Sequence, residues 1–298
     1  MRSAPVSGER INRGSGGNVT AELVAAALLV ALALALELSL RLTGFGSFPL
    51  FERDEASVYR MRRNQAGYFR HRFAWNYDAN GMRNDDTPPS FAETTLLIGD
   101  SIVDGGLGVD QSKTLAALAR GISGENFYSV ACHGWALGNV LPAVEALPGW
   151  ATAKRLVFVL NSGDLDTVGT FGSELSFPTR RPIWLTAWIV RRQAFRRLHF
   201  RAREQTMPNA QLRAENLAAF RNLLGSYAGP VVIVRYPMRG ENARSERYFE
   251  ELASLDARVR LLEATDAPGW SDDCYADHIH PNARGLQVLA GHLCQGLS

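Results

Sequence analysis

From Thr94 to the C-terminus the chain alternates short apolar runs with segments of helical spacing, and that rhythm admits few folds. Segments 94–98, 127–131, 155–160, 231–236 and 258–262 read as strands. Between them 114–122, 137–147, 210–227 and 243–255, and finally 281–297, place apolar residues on one helical face. Strands separated by helices in this way form parallel βαβ units whose sheet is covered on both sides. The expectation is an α/β three-layer sandwich with a mostly parallel sheet of about five strands over residues 94–298.

One stretch breaks the rhythm. Residues 166–209 contain no strand pattern and read as an insertion, and long irregular segments are usually functional. Within it, 182–200 mixes Trp184, Leu185, Trp188, Ile189, Val190, Phe195 and Phe200 with Arg191, Arg192, Arg196 and Arg197. Such a basic, aromatic helix suits a membrane surface, but the favoured reading is an ordinary helix packing its apolar stripe on the domain.

The N-terminal segment has a different composition. Residues 1–18 are rich in Gly, Ser and Arg and read as a disordered tail. Residues 19–42 carry only Glu22, Glu37 and Arg41 as charges, and 23–36 carry none, a helix of about 21 Å. Spanning a hydrocarbon core takes about 20 residues, so a crossing requires Glu37 and Arg41 to sit at an interface. The segment reads as a transmembrane signal anchor. A cleaved signal peptide, with Ala33-Leu34-Ala35 as cleavage site, and a buried core helix are the alternatives. The first two both export the body. Residues 43–93, with Gly44, Gly46 and Pro49 followed by clustered arginines and aromatics, read as a neck. A net charge of +2, from 32 basic and 30 acidic residues, excludes nucleic-acid binding by bulk charge.

The chemistry concentrates at the two ends of the α/β region. Leu96-Leu97-Ile98-Gly99-Asp100-Ser101 is an apolar strand ending in glycine and presenting a serine at its C-terminal edge, where ligands bind open parallel sheets. A serine hydroxyl needs an imidazole to take its proton, and the imidazole needs a carboxylate to set its tautomer. Asp277-His278-Ile279-His280-Pro281-Asn282 offers both, with Asp277 and His280 three residues apart and His278 as the competing histidine.

These two blocks, in this order, resemble the SGNH hydrolases, also called the GDSL esterase and lipase superfamily. The resemblance implies a flavodoxin-like sheet, Ser101 as nucleophile, His280 as base and Asp277 as its orienting carboxylate. It implies an oxyanion hole from the amides of Ser101 and Gly134, with Gly138 the second candidate for that glycine. The family's third block, Gly-x-Asn-Asp, supplies an asparagine to the hole. Here Asn161-Ser162-Gly163-Asp164 puts Gly163 in its place, so either Asn161 serves from two residues upstream or the two amides act alone. The stretch Tyr77-Asp78-Ala79-Asn80-Gly81-Met82-Arg83 and the segment 37–41 are similar to the lead-in of membrane-anchored bacterial members, although Arg83 also reads as a surface residue.

The resemblance implies a single-pass protein of the bacterial inner membrane with a periplasmic body, hydrolysing an O-acyl ester, commonly acetyl, of a glycan or a lipid. An acyltransferase using the same triad and a non-catalytic glycan-binding protein are the alternatives. No cofactor is implied. Cys132, Cys274 and Cys294 lack metal-ligand spacing, and His133 beside Cys132 reads as packing. Export permits a disulfide, with Cys274 to Cys294 the better pairing. Gly105-Gly106-Leu107-Gly108 lacks the Lys-Ser/Thr ending of a phosphate loop.

Overall fold

A computed structural model describes the backbone of residues 16–203, 210–241 and 247–297, and the side chains of 20–195, 210–241 and 247–297. Helix α1 (Gly16–Leu42) is followed by two antiparallel hairpins, β1 (Phe51–Asp54) with β2 (Val58–Met61) and β3 (Gln65–Phe69) with β4 (Phe73–Tyr77). Then comes the α/β region: β5 (Thr94–Gly99), α2 (Ser101–Asp104), α3 (Leu115–Ser123), β6 (Asn126–Ala131), α4 (Leu137–Glu145) and β7 (Arg155–Leu160). It continues with α5 (Leu185–Arg203), α6 (Ala210–Ser226), β8 (Val231–Arg235), α7 (Tyr248–Ser254), β9 (Val259–Glu263) and α8 (Ala283–Leu297).

The expected sheet is present: five parallel strands in the order β6-β5-β7-β8-β9. Alternation of side chains along each strand divides the core into two layers. Leu96, Ile98, Tyr128, Val130, Leu156, Phe158 and Ile233 face α4, α6 and α7, with Val140, Phe220 and Phe249 among their neighbours. Leu97, Phe127, Val157, Val159, Val232 and Val234 face α2, α3 and α8, packing with Val103, Ala119 and Leu289. The sheet is thus apolar on both sides, which is why its strands read as continuous runs.

The segment 43–93 is not a spacer. Phe51, Tyr59, Met61, Trp75, Tyr77, Met82 and Phe91 join the same core as Leu96 and Ile98. Its hairpins carry aromatic rings too large to leave in water, so they close over the sheet and no boundary separates two cores at residue 93. Gly16–Leu42 forms one helix, so residues 16–18 of the expected tail are helical, and the rest of that tail lies outside the described residues. Residues 243–246 of the expected 243–255 helix lie outside them also.

Thr20–Leu42 is long and apolar enough to cross a membrane. Its side chains are exposed up to Leu36, apart from the half-buried Ala33, and then Glu37 is buried. The Glu37 carboxylate accepts hydrogen bonds from the amides of Leu185 (2.9 Å) and Thr186 (2.8 Å) and from the Thr186 hydroxyl (2.8 Å). It therefore caps the start of α5, where backbone N–H groups have no helical partner. Arg41 pairs with Glu37 at 2.7 Å and donates to the Ile183 carbonyl, also at 2.7 Å. Phe48, Leu50 and Leu185, with Leu40, Phe45, Leu107, Trp188 and Ile189, form a third cluster around this joint. The expected Cys274–Cys294 disulfide is absent. Cys132, Cys274 and Cys294 are free, buried thiols, with Cys274 and Cys294 directed at the carbonyls of Gly269 and Ala119.

Candidate active site

The C-terminal edge of β5 is built to turn sharply. A side chain at Gly99 would bring its Cβ to 2.8 Å from Val103 Cγ2 and 2.9 Å from the Val159 carbonyl, so only glycine allows β5 to pass directly into α2. Asp100 caps α2 by accepting from the Ile102 amide at 2.8 Å. Ser101 follows as the first residue of α2, beside the β5–β7 neighbours where the strand order reverses.

The base comes from the loop before α8. Asn282 accepts from the Gly285 amide and donates to the Asp273 carbonyl, and Tyr236 donates to the Ile279 carbonyl at 2.7 Å, which fixes both ends of that loop. Inside it, Asp277 Oδ1 accepts from the amides of Ile279 (2.9 Å) and His280 (2.8 Å). Its other oxygen lies 2.8 Å from His280 Nδ1. The three-residue spacing thus folds the carboxylate back on its own histidine. His280 Nε2 lies 2.9 Å from Ser101 Oγ. With Nδ1 donating to a carboxylate, Nε2 carries the lone pair and can accept the serine proton. Burial alone would raise Asp277, but the two amides and the imidazole hold it at about 2. It is a carboxylate at neutral pH. His278 is exposed and 4.0 Å from Asp277, and it forms no bond to Ser101.

A cavity of about 220 Å³ opens at this edge, lined by Ser101, Gly105, Gly106, His133 and His280 among others. A larger depression of about 460 Å³ lies at the opposite end of the sheet, where Thr94 and Asn126 begin their strands. It holds no histidine to activate a hydroxyl, so the smaller cavity is the chemical one.

His133, expected to be packing, Arg83, expected also as a surface residue, and Asp104, which carried no expectation, shape that cavity. Asp104, one helical turn beyond Ser101, is fully buried; it lies 2.7 Å from His133 Nε2 and accepts from the Tyr77 hydroxyl at 2.9 Å. Burial opposes its charge, yet His133, Arg83 and Tyr77 together hold it below the usual carboxylate range. Arg83 is buried as well. It donates to the carbonyls of Asp104, Gly106 and Val109 at 2.9, 2.6 and 2.6 Å, and to Ala74 and Gln111 at 3.2 Å. The guanidinium thereby stitches the 104–109 loop, one wall of the cavity, to the β3–β4 hairpin. The one-turn spacing of Ser101 and Asp104 was a readable signal; the pairing of Arg83 with backbone carbonyls was not.

The oxyanion candidates are placed unequally. The Ser101 amide, as the first of α2, is not used by the helix. Gly134 follows β6 in the left-handed region, at φ 72°, and its amide donates to no carbonyl among the described residues. Its neighbour His133, rather than Gly134, lines the cavity. Gly138 lies in α4 against Asn216 and Val168, away from Ser101. Asn161 is buried, with Oδ1 accepting from the Gly163 amide at 2.9 Å and Nδ2 3.4 Å from Asp100. Asp164 turns inward and accepts from the Asn161 amide at 2.8 Å. Asp100 and Asp164 are consequently a buried carboxyl pair. Burial raises Asp100 to about 6 against the pull of the Ile102 amide and the two imidazoles. Burial and then the Asp100 charge push Asp164 well above its ordinary value.

No known protein family and no curated protein matches the chain in sequence. Solved structures are similar to it in fold. A family two carbohydrate esterase from Clostridium thermocellum, in complex with cellohexaose, is 14% identical at a TM-score of 0.42, over 71% of this chain and 65% of the other. The chain therefore spans just under two thirds of that enzyme's length. An acetyl xylan esterase from Butyrivibrio proteoclasticus is 12% identical (TM-score 0.43; 74% of this chain, 67% of the other). A psychrotrophic esterase from Pseudoalteromonas is 14% identical (TM-score 0.44; 69% of this chain, 96% of the other). The chemistry of the site rests on its own geometry.

Proposed function

We propose that this protein is a membrane-anchored serine esterase of the SGNH type, single-pass, with its body on the extracytoplasmic side of a bacterial inner membrane. The observation that carries the reading is the unbroken chain from Ser101 Oγ through His280 to Asp277, at 2.9 and 2.8 Å, facing a cavity. Ser101 attacks the ester carbonyl while His280 Nε2 takes its proton. The tetrahedral oxyanion is met by the amides of Ser101 and Gly134, with Asn161 as the third candidate donor. His280 then returns the proton to the leaving alcohol, and water repeats the sequence on the acyl-enzyme. Asp277 stays ionised throughout and stabilises the imidazolium.

A cavity of about 220 Å³ suits a small acyl group, so the substrate proposed is an O-acetyl ester of an envelope glycan or a lipid. Hydrolysis is favoured over transfer because the side chains of His280 and Asp277 are 42% and 50% exposed, open to water. The test is hydrolysis of an acetyl ester reporter and labelling by a fluorophosphonate, by the full chain in detergent and by Ser101→Ala. The reading requires a covalent adduct and turnover that both vanish in the variant. A wild-type rate equal to that of the variant, with no adduct, would refute it.

A further inference from the structure

Glu37, the acid near the C-terminal end of the spanning segment, leads to a second membrane contact. We infer that loop 180–184 and the first turns of α5 form an interfacial foot. In this foot Ile183 and Trp184 enter the boundary of an anionic phospholipid bilayer, and Arg180 and Arg191 meet lipid phosphates. The inference rests on the reading of α1 as membrane-spanning.

The level of the foot is set by hydrogen bonds. Arg41, in the last turn of α1, donates to the Ile183 carbonyl at 2.7 Å, and Glu37 one turn earlier caps Leu185 and Thr186. A charged pair on a spanning helix marks where that helix leaves hydrocarbon. Residues 183–186 therefore sit where α1 emerges. There Ile183 is 95% exposed, Trp184 43% and Val190 64%, beside the exposed Leu38 and Leu42 of α1 itself. A single exposed isoleucine is ordinary on a protein surface. A group of them continuous with a spanning helix, and including a tryptophan, has the composition of a membrane interface.

The charge is complementary to anionic lipid. Segment 180–203 contains arginines at 180, 181, 191, 192, 196, 197, 201 and 203 and no acid. Arg180 and Arg191 are exposed and form no ion pair among the described residues. Basic residues of this kind at the bilayer surface bind acidic headgroups. The foot is braced from behind, where Trp188 stacks on Phe48 at 5.0 Å and Arg192 lies over Trp188. Leu107, next to the cavity-lining Gly106, packs in the same cluster. A foot held at the bilayer would consequently hold the Ser101 cavity close to it, and would select esters presented at the membrane surface.

Spin labels on introduced cysteines in the full-length protein test this, because Cys132, Cys274 and Cys294 are buried. Ile183→Cys and Val190→Cys report the foot, and Leu29→Cys the middle of α1. Ile122→Cys, at the end of α3 that leads to the far edge of the sheet, reports water. In phosphatidylcholine vesicles containing phosphatidylglycerol, collisions with oxygen relative to a nickel chelate should be several-fold higher at Ile183 and Val190 than at Ile122. The difference should fall when phosphatidylglycerol is omitted. A lipid-like ratio at Leu29 with water-like ratios at Ile183 and Val190 would overturn the foot while leaving the anchor intact. Water-like values at Leu29 would overturn the anchor and the foot together. Shielding of Ile183 from both reagents would mean a protein surface covers it, which also overturns the inference.

Discussion

Replacing Asp277 by Asn separates the proposed chemistry from the fold. The two amides on Oδ1, those of Ile279 and His280, can keep an oxygen acceptor, so the loop has no reason to unfold. The other position, 2.8 Å from His280 Nδ1, becomes an NH2 group. It repels a protonated Nδ1, so the imidazole proton moves to Nε2, where it blocks acceptance from Ser101. The charged hydrogen bond to the forming imidazolium, worth about 1.5–3 kcal/mol, is lost. So is a through-space attraction of about 1 kcal/mol in a wet site, the relevant limit because both side chains are about half exposed. The sum, about 2.5–4 kcal/mol, corresponds to a fall in kcat/KM of about 70- to 900-fold. Initial rates on an acetyl ester reporter, with thermal unfolding as the control for folding, measure it. An Asp277→Asn enzyme that unfolds normally and turns over as fast as wild type would show that Asp277 does not orient the base.

Other residues give sharper tests of structure. In Glu37→Ala the amides of Leu185 and Thr186 lose their acceptor, so their hydrogen exchange in micelles should speed up by about 10- to 100-fold, as for loss of a charged helix cap; unchanged exchange would mean that Glu37 does not hold α5. Arg83→Lys offers three N–H groups to the four carbonyls of Asp104, Gly106, Val109 and Ala74, so at least one is left without a donor. That should cost about 1–3 kcal/mol and lower the unfolding temperature by about 2–12 °C in a thermal scan. Asp100 sits at about 6 in the fold, above its value in the unfolded chain. Its contribution to stability is therefore full below about pH 4 and is lost as pH rises through about 6. Denaturant titrations should show Asp100→Asn losing less stability than wild type across that window, by on the order of 1–3 kcal/mol, and superimposable profiles would contradict it.

How much was legible follows from the kind of interaction involved. Strands such as β7 are apolar on both faces, and helices such as α8 are apolar on one; both signals are local, and they locate the sheet and its covering layers. Asp277 and His280 were legible because one turn of chain links them, and Ser101 because Gly99 marks the end of β5. Burial of the hairpin aromatics was not legible, because Trp75 and Tyr77 look alike in a neck and in a core until the sheet they cover is known. The same holds for Arg83, whose acceptors are backbone carbonyls that leave no trace in side-chain patterns. Glu37 reads in the sequence only as a charge that a spanning segment must place at an interface, because its partners lie about 150 residues downstream, beyond any local rule.

The Glu37–α5 joint also determines reach. A flexible linker lets a domain explore a radius that grows as the square root of its length. Here the joint forms within the last turns of α1, and Phe48 and Leu50 pack against Leu185 directly afterwards, so no slack separates helix from body. With α1 in a bilayer, the Ser101 cavity would travel in a plane at one fixed height. Its effective substrate concentration would then be counted per unit area of membrane, and a soluble ester would be sampled no more often than by a free enzyme.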